Sequence, residues 1–227
     1  MLPRGSEMTR KRQIGILISD LRGWLRSGFV CLCLLPLFLT ALPARASDQI
    51  AAANNVITSM ISQVETYLET DSGNIEKRTE DITKLLDTHF DLPAIARFSA
   101  GPYWRAANEQ ERIDYVQTMR DVVIGTVVRN FDQLSGLRFT KIDSQTKGDK
   151  MVLVRGLFND STGKRPPVSV GWRVITPAMA PAKVLDVEIE NISMLVTQKQ
   201  ENITIIRQNE GRFSALIEAM RKRQQAP

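Results

Sequence analysis

At Gly136 the hydrophobic period of this chain changes from about 3.6 residues to about 2, and near Gln198 it changes back. No single-layer fold satisfies both periods, so the order of elements is helices, then strands, then helices. Ile50, Ala53, Ile57, Met60, Ile61, Val64 and Leu68 recur at steps of three and four, predicting an amphipathic helix that ends near Asp71-Ser72-Gly73. Asn74 is placed to cap a second helix with a stripe of Ile75, Ile82, Leu85, Leu86 and Phe90. Asp91, with Pro93 in the first turn, opens a short third one through Phe98. The longest helix runs from Asn108 to about Leu134, with Ile113, Val116, Met119, Val123, Val127, Phe131 and Leu134 on one stripe, widened by Val122, Ile124 and Val128.

The β-rich runs are residues 137–143, 150–158, 168–176 and 183–190, separated by polar or proline-bearing turns. In the third, Val168, Val170, Trp172 and Val174 alternate with Ser169, Gly171 and Arg173; in the fourth, Leu185, Val187 and Ile189 alternate with Asp186, Glu188 and Glu190. Such alternation marks a sheet covered on one face only. Helices at 198–208 and 211–223 close the chain. The reading is an α+β domain with helices packed on one face of a four-stranded antiparallel meander.

The amino-terminal segment adds a location. Arg10, Lys11, Arg12, Arg22 and Arg26 precede an uncharged run, residues 28–42, followed by Ala44-Arg45-Ala46. A basic region, a short apolar core and an A-x-A site predict a signal peptide, residues 1–46, cleaved after Ala46. The apolar run is shorter than the roughly 20 residues of a membrane span and is broken by Pro36. Residues 47–227 are then one exported domain. The leader carries seven of the 30 Lys and Arg and two of the 25 acids, which leaves 23 of each sign. The charge excess that would favour nucleic acid departs with it, and no nucleic-acid partner is expected. Both cysteines, Cys31 and Cys33, also lie in the leader, so no disulfide, thiol nucleophile or thiolate metal site is expected.

Catalytic chemistry is thin. His89 is the only histidine and stands at a helix end, where a cation is favoured by the helix dipole. No glycine-rich phosphate loop or nucleophile elbow is present, and no cofactor or metal is expected. Asp186, Glu188 and Glu190 share one side of a strand; they read as a solvated outer face, with Arg155, Arg165 and Arg173 as surface partners, rather than as a cation site. Apolar material, by contrast, is abundant. The valine-rich helix face, the greasy sheet face and Phe98, Tyr103 and Trp104 suit either a packed core or an apolar cavity, which periodicity does not separate.

Particular residues narrow the choice. Phe90-Asp91 leads to Ala100-Gly101-Pro102-Tyr103-Trp104, and Asn108-Glu109-Gln110-Glu111-Arg112 opens the long helix. Gly163-Lys164-Arg165-Pro166-Pro167 precedes Trp172-Arg173, and Asp186-Val187 runs into Ile192-Ser193-Met194-Leu195-Val196-Thr197, then Gln200-Glu201 and Gly211. In order and spacing these blocks resemble the MlaC family of periplasmic lipid-carrying proteins, also grouped under toluene tolerance, with the hopanoid-associated HpnM proteins as a close branch. Asn191 stands where many relatives carry glycine, and Leu185 where an aromatic is common.

The resemblance implies an NTF2-like or cystatin-like fold with acyl chains in an apolar cavity between sheet and helices. It implies a non-enzymatic shuttle of phospholipid between an outer-membrane lipoprotein complex and an inner-membrane ABC transporter with its MCE-type lipid-binding subunit. A hopanoid carrier, an NTF2-like enzyme and a protein adaptor remain as alternatives, and a monomer is expected. On this reading Val170, Trp172, Val174, Leu185, Val187 and Ile189 form the sheet wall. Val123, Val127 and Phe131 form the helix wall, and Tyr103, Trp104 and Met194 rim the opening.

Overall fold

The computed structural model describes residues 42–225. The expected leader lies outside the described residues up to residue 41; from Leu42 onward its end belongs to the first helix. Helix α1 (Leu42–Thr70) is followed by α2 (Ile75–His89), α3 (Leu92–Ser99), the one-turn α4 (Tyr103–Ala106) and α5 (Glu109–Arg129), which tightens into a 3-10 turn at Phe131–Leu134. Strands β1 (Leu137–Thr146), β2 (Met151–Asp160), β3 (Val168–Ile175), β4 (Lys183–Ile189) and the two-residue β5 (Ile192–Ser193) precede α6 (Met194–Gln208) and α7 (Phe213–Gln225). The sheet is antiparallel throughout, in the order β1-β2-β3-β4-β5. The layer order read from periodicity stands, with one short strand added.

Local chemistry sets the helix starts. Asn74 accepts from Lys77 N (2.7 Å) and Asp91 from Ala94 N (3.0 Å), as their positions predict. Asn108 and Glu111 form a reciprocal capping box at 2.9 Å in both directions. Helix α6 begins at Met194 rather than near Gln198, because Ser193 caps it by accepting from Val196 N (3.0 Å). Ile75 and Ile113, placed on apolar stripes by spacing, both lie in the first two turns of their helices and are more than half exposed.

Two bulges depart from strict alternation. Ile142 is the unpaired residue in β1 and is 62% exposed. In β4 the pairing skips Leu185: Arg173 faces Asp186, whereas Val174 faces Val184. An extra residue re-aims the side chains around it. Val184, not Leu185, therefore joins Val152, Val154, Trp172 and Val174 in the buried sheet core. At the β4–β5 turn Glu190 and Asn191 adopt φ of 50° and 65°; Asn191 fills a left-handed position that glycine takes without strain.

The acidic row also departs from expectation. Asp186 and Glu188 are buried, because the chain folds back over β4 to start α6. Asp186 accepts from Leu195 N (2.9 Å) and Ser193 Oγ (2.6 Å) and lies 3.5 Å from the Arg173 guanidinium, which also pairs with Glu188. Glu190 accepts from Ser169 N (2.7 Å). Arg155 pairs instead with Asp143 (2.6 Å) and Arg165 with Asp160 (3.2 Å).

Buried side chains fall into two clusters. One lies among the helices around Tyr115, Met119, Phe131, Ile206 and Leu216; the other joins the sheet to Ala53, Ile57 and Met60 of α1. Partly buried Phe90 and Tyr67 pack against both.

Candidate lipid-binding cleft

The space between the clusters is incompletely filled. Across the gap from the sheet, α5 contributes Val122, Val123 and Val127, and residues of α1, α2, α3 and α6 complete the walls. A chamber of about 240 Å³ is walled by Val123 and Met119 of α5, Leu185 and Val187 of β4, and Met194 and Leu195 of α6. A second, of about 190 Å³, is walled by Val127 of α5, Trp172 of β3, Phe139 and Phe158 of β1 and β2, and Ile61 and Val64 of α1.

Leu185 and Val187, two residues apart on β4, both border the first chamber. In the second, a close approach shapes the wall. A Cβ on Gly156 would lie 2.4 Å from Cε2 of Phe139 and 2.6 Å from the Thr140 carbonyl oxygen, so only glycine lets the Phe139 ring lie across β2.

The linings are hydrocarbon almost throughout. Polar groups are Asp186 and Gln198 in the first chamber, and Glu65 and the Trp172 side chain, whose buried indole N–H has no partner among the described residues, in the second. Asp186 is already engaged by the start of α6, and Gln198 donates to Asn202 Oδ1 (2.8 Å). Behind α5 a buried polar network ties three helices together. Tyr115 OH is 2.8 Å from Ser99 Oγ and accepts from Asn202 Nδ2 (2.7 Å), which also reaches the Ser99 carbonyl (3.2 Å). Burial pushes the Tyr115 phenol up to about 12, beyond use as a base.

His89 lines neither chamber. It is buried, its Nε2 has no partner among the described residues, and burial together with the Lys183 charge lowers its pKa. Desolvation here outweighs the helix-end field. No group of three or more potential metal-ligating side chains occurs among the described residues. Glu65, the carboxylate of the second chamber, lies 3.8 Å from the Arg138 guanidinium.

The predicted wall residues divide accordingly. Leu185, Val187, Val123 and Met194 meet in the first chamber, and Trp172 and Val127 in the second. Val170 and Val174 are buried under α1 in the sheet cluster. Phe131 is buried beneath the Arg78 guanidinium, 5.2 Å from its ring centre, and belongs to the helical cluster. Ile189 is 40% exposed at the end of β4. Tyr103 packs against the helical cluster, and Trp104 lines an outer groove of about 640 Å³ between α3 and α5, with Arg97 and Arg112 beside it. That groove is larger than either chamber but open to water and flanked by guanidinium groups, so it does not shelter hydrocarbon.

Periodicity passed over the contribution of α1, whose stripe was visible, and of Phe90, Phe139 and Phe158. Their role follows from the sheet register, which places Phe139 opposite Phe158.

Residues 54–222 match the family model described as MlaC protein. The chain belongs to the MlaC family. Among solved structures, the phospholipid-binding protein from Ralstonia solanacearum, in complex with a phospholipid, has the same fold: TM-score 0.66 at 17% identity, covering 78% of this chain and 96% of that one. No curated protein matches the sequence significantly. Among the described residues no helix is long and apolar enough to cross a membrane.

Proposed function

We propose that this MlaC-family protein is a periplasmic, non-enzymatic carrier that encloses the acyl chains of one phospholipid. It moves that lipid between an outer-membrane lipoprotein complex and an inner-membrane ABC transporter with an MCE-type subunit, after removal of its leader at Ala46. The observation that carries this reading is the pair of apolar chambers between sheet and helices, whose walls are almost wholly hydrocarbon.

The energetics favour such a design. Exposing two acyl chains to water costs roughly 0.8 kcal/mol per CH₂, on the order of 25 kcal/mol for a common diacyl lipid. A shuttle crossing water must cover nearly all of that hydrocarbon, while the headgroup stays hydrated. Taking a methylene as about the size of a water molecule, roughly 30 Å³, the chambers hold about fourteen methylenes, so a full load requires their walls to part further. A wall of valine, leucine and methionine repacks at little cost. The phospholipid held by the structurally similar Ralstonia protein supports the class of cargo. The balanced charge of residues 47–227 supports a role away from nucleic acid.

Transfer of a fluorescent phosphatidylethanolamine from donor to acceptor vesicles tests the proposal. The protein accelerates transfer in proportion to its concentration. Transfer at the spontaneous rate, with a native circular-dichroism spectrum, would refute it.

A further inference from the structure

Among the described residues Phe90 is the only one in the wall of both chambers. The chambers lie end to end along α5, since Val123 borders one and Val127, one helical turn on, borders the other. At the junction Phe90 packs against both hydrophobic clusters.

Its main chain is pinned. Phe90 N donates to Leu86 O (2.9 Å), Asp91 N donates to Val184 O (3.0 Å), and Asp91 caps α3 immediately afterwards. With the main chain held, any change at Phe90 is a turn of its side chain. Beside it lies an outer hollow of about 350 Å³, bordered by Phe90 itself, Asp91, Pro177, Pro181 and Lys183, and a second staggered rotamer of the ring would turn toward it.

We infer that the Phe90 ring is a movable partition between the two chambers, and that its position sets how much cargo hydrocarbon the protein encloses and hence which acyl-chain lengths it selects. The inference rests on the lipid-carrier reading. With the ring across the junction, a chain in the first chamber has about 240 Å³, room for about eight methylenes at roughly 30 Å³ each. With the ring turned aside, the second chamber adds about 190 Å³, or about six methylenes more. Each methylene newly sheltered raises affinity about four-fold. A phenylalanine packed in the core away from the junction would have no such influence on chain length.

The test uses delipidated protein and an equimolar mixture of saturated diacyl phosphatidylcholines with chains from ten to eighteen carbons, the bound species being counted by native mass spectrometry. Phe90→Ala raises the ratio of longest to shortest bound chains at least ten-fold over the unsubstituted protein. Phe90→Leu raises it less, and Phe90→Trp lowers it. If Phe90→Ala fails to fold, the other two variants carry the comparison. The same chain-length profile in every variant that still loads lipid would overturn the partition while leaving the carrier intact. Failure of the unsubstituted protein to bind any of these lipids would overturn the carrier reading and the partition with it.

Discussion

Replacing Val187 with tryptophan enlarges a side chain in the wall of the first chamber. Val187 sits in β4 opposite Trp172 of β3, and its side chain borders the gap of about 240 Å³. The larger side chain grows into that space rather than into packed neighbours, so the usual overpacking cost of about 1–3 kcal/mol is mostly avoided. It takes the room of about three to four methylenes, each worth about 0.8 kcal/mol when sheltered. Binding then loses about 3 kcal/mol, or about a hundred-fold in affinity. Titration with a fluorescent diacyl phospholipid measures the loss, and far-UV circular dichroism checks the fold. Ile142→Trp serves as control: this bulge residue is 62% exposed on β1, and the same kind of enlargement there leaves affinity unchanged. Undiminished affinity in a natively folded Val187→Trp protein would remove β4 from the binding wall.

Other perturbations test the frame around the gap. Asn202→Leu strips the Ser99 carbonyl and the Tyr115 hydroxyl of a buried partner and should cost about 2–3 kcal/mol, a fall in Tm of about 5–10 °C; Tyr115→Phe should cost about 1 kcal/mol, and an unchanged Tm in both would contradict the network. Gly156→Ala forces the Phe139 ring and the Thr140 carbonyl aside, for a loss of about 1–3 kcal/mol in urea unfolding together with weaker lipid binding. His89 has its pKa lowered from 6.5 by burial and by Lys183, so the unfolded chain takes up a proton first as pH falls. Its contribution to stability is full above pH 6.5 and is lost as pH drops through the lowered value. Thermal midpoints should therefore decline on acidification already above about pH 5, and His89→Gln should flatten that part of the curve.

The layers were legible in the sequence because each is written in a period. The caps at Asn74 and Asp91 were legible too, because capping depends on one side chain and the few residues after it. What escaped has a physical reason in each case. Strict alternation assumes an unbroken ladder, so the bulge at Leu185 hid the burial of Val184. Asp186 looked solvated because its partners, Leu195 N and Ser193 Oγ, arrive through a reversal of the chain that alternation does not encode. Tyr115 and Asn202 are polar residues at fully buried positions, and hydropathy assigns such residues to the surface.

Among the expected wall residues, the division between cavity and core turned on geometry. Val123 and Val127 line the gap, whereas Phe131, on the same expected stripe, lies past the end of α5 under Arg78. Composition is the same on both sides of that boundary. Phe90 carried a different kind of signal: it was read as the end of a helical stripe and as part of a family block, and its place between two clusters appears only once α2, α5 and the sheet are assembled.

The most direct measurement of the central claim is native mass spectrometry of the protein purified without detergent, followed by organic extraction of whatever is bound. The account predicts one diacyl phospholipid per chain, and a reduced lipid load in Val187→Trp. A clean unliganded mass, or a bound species without acyl chains, would contradict it.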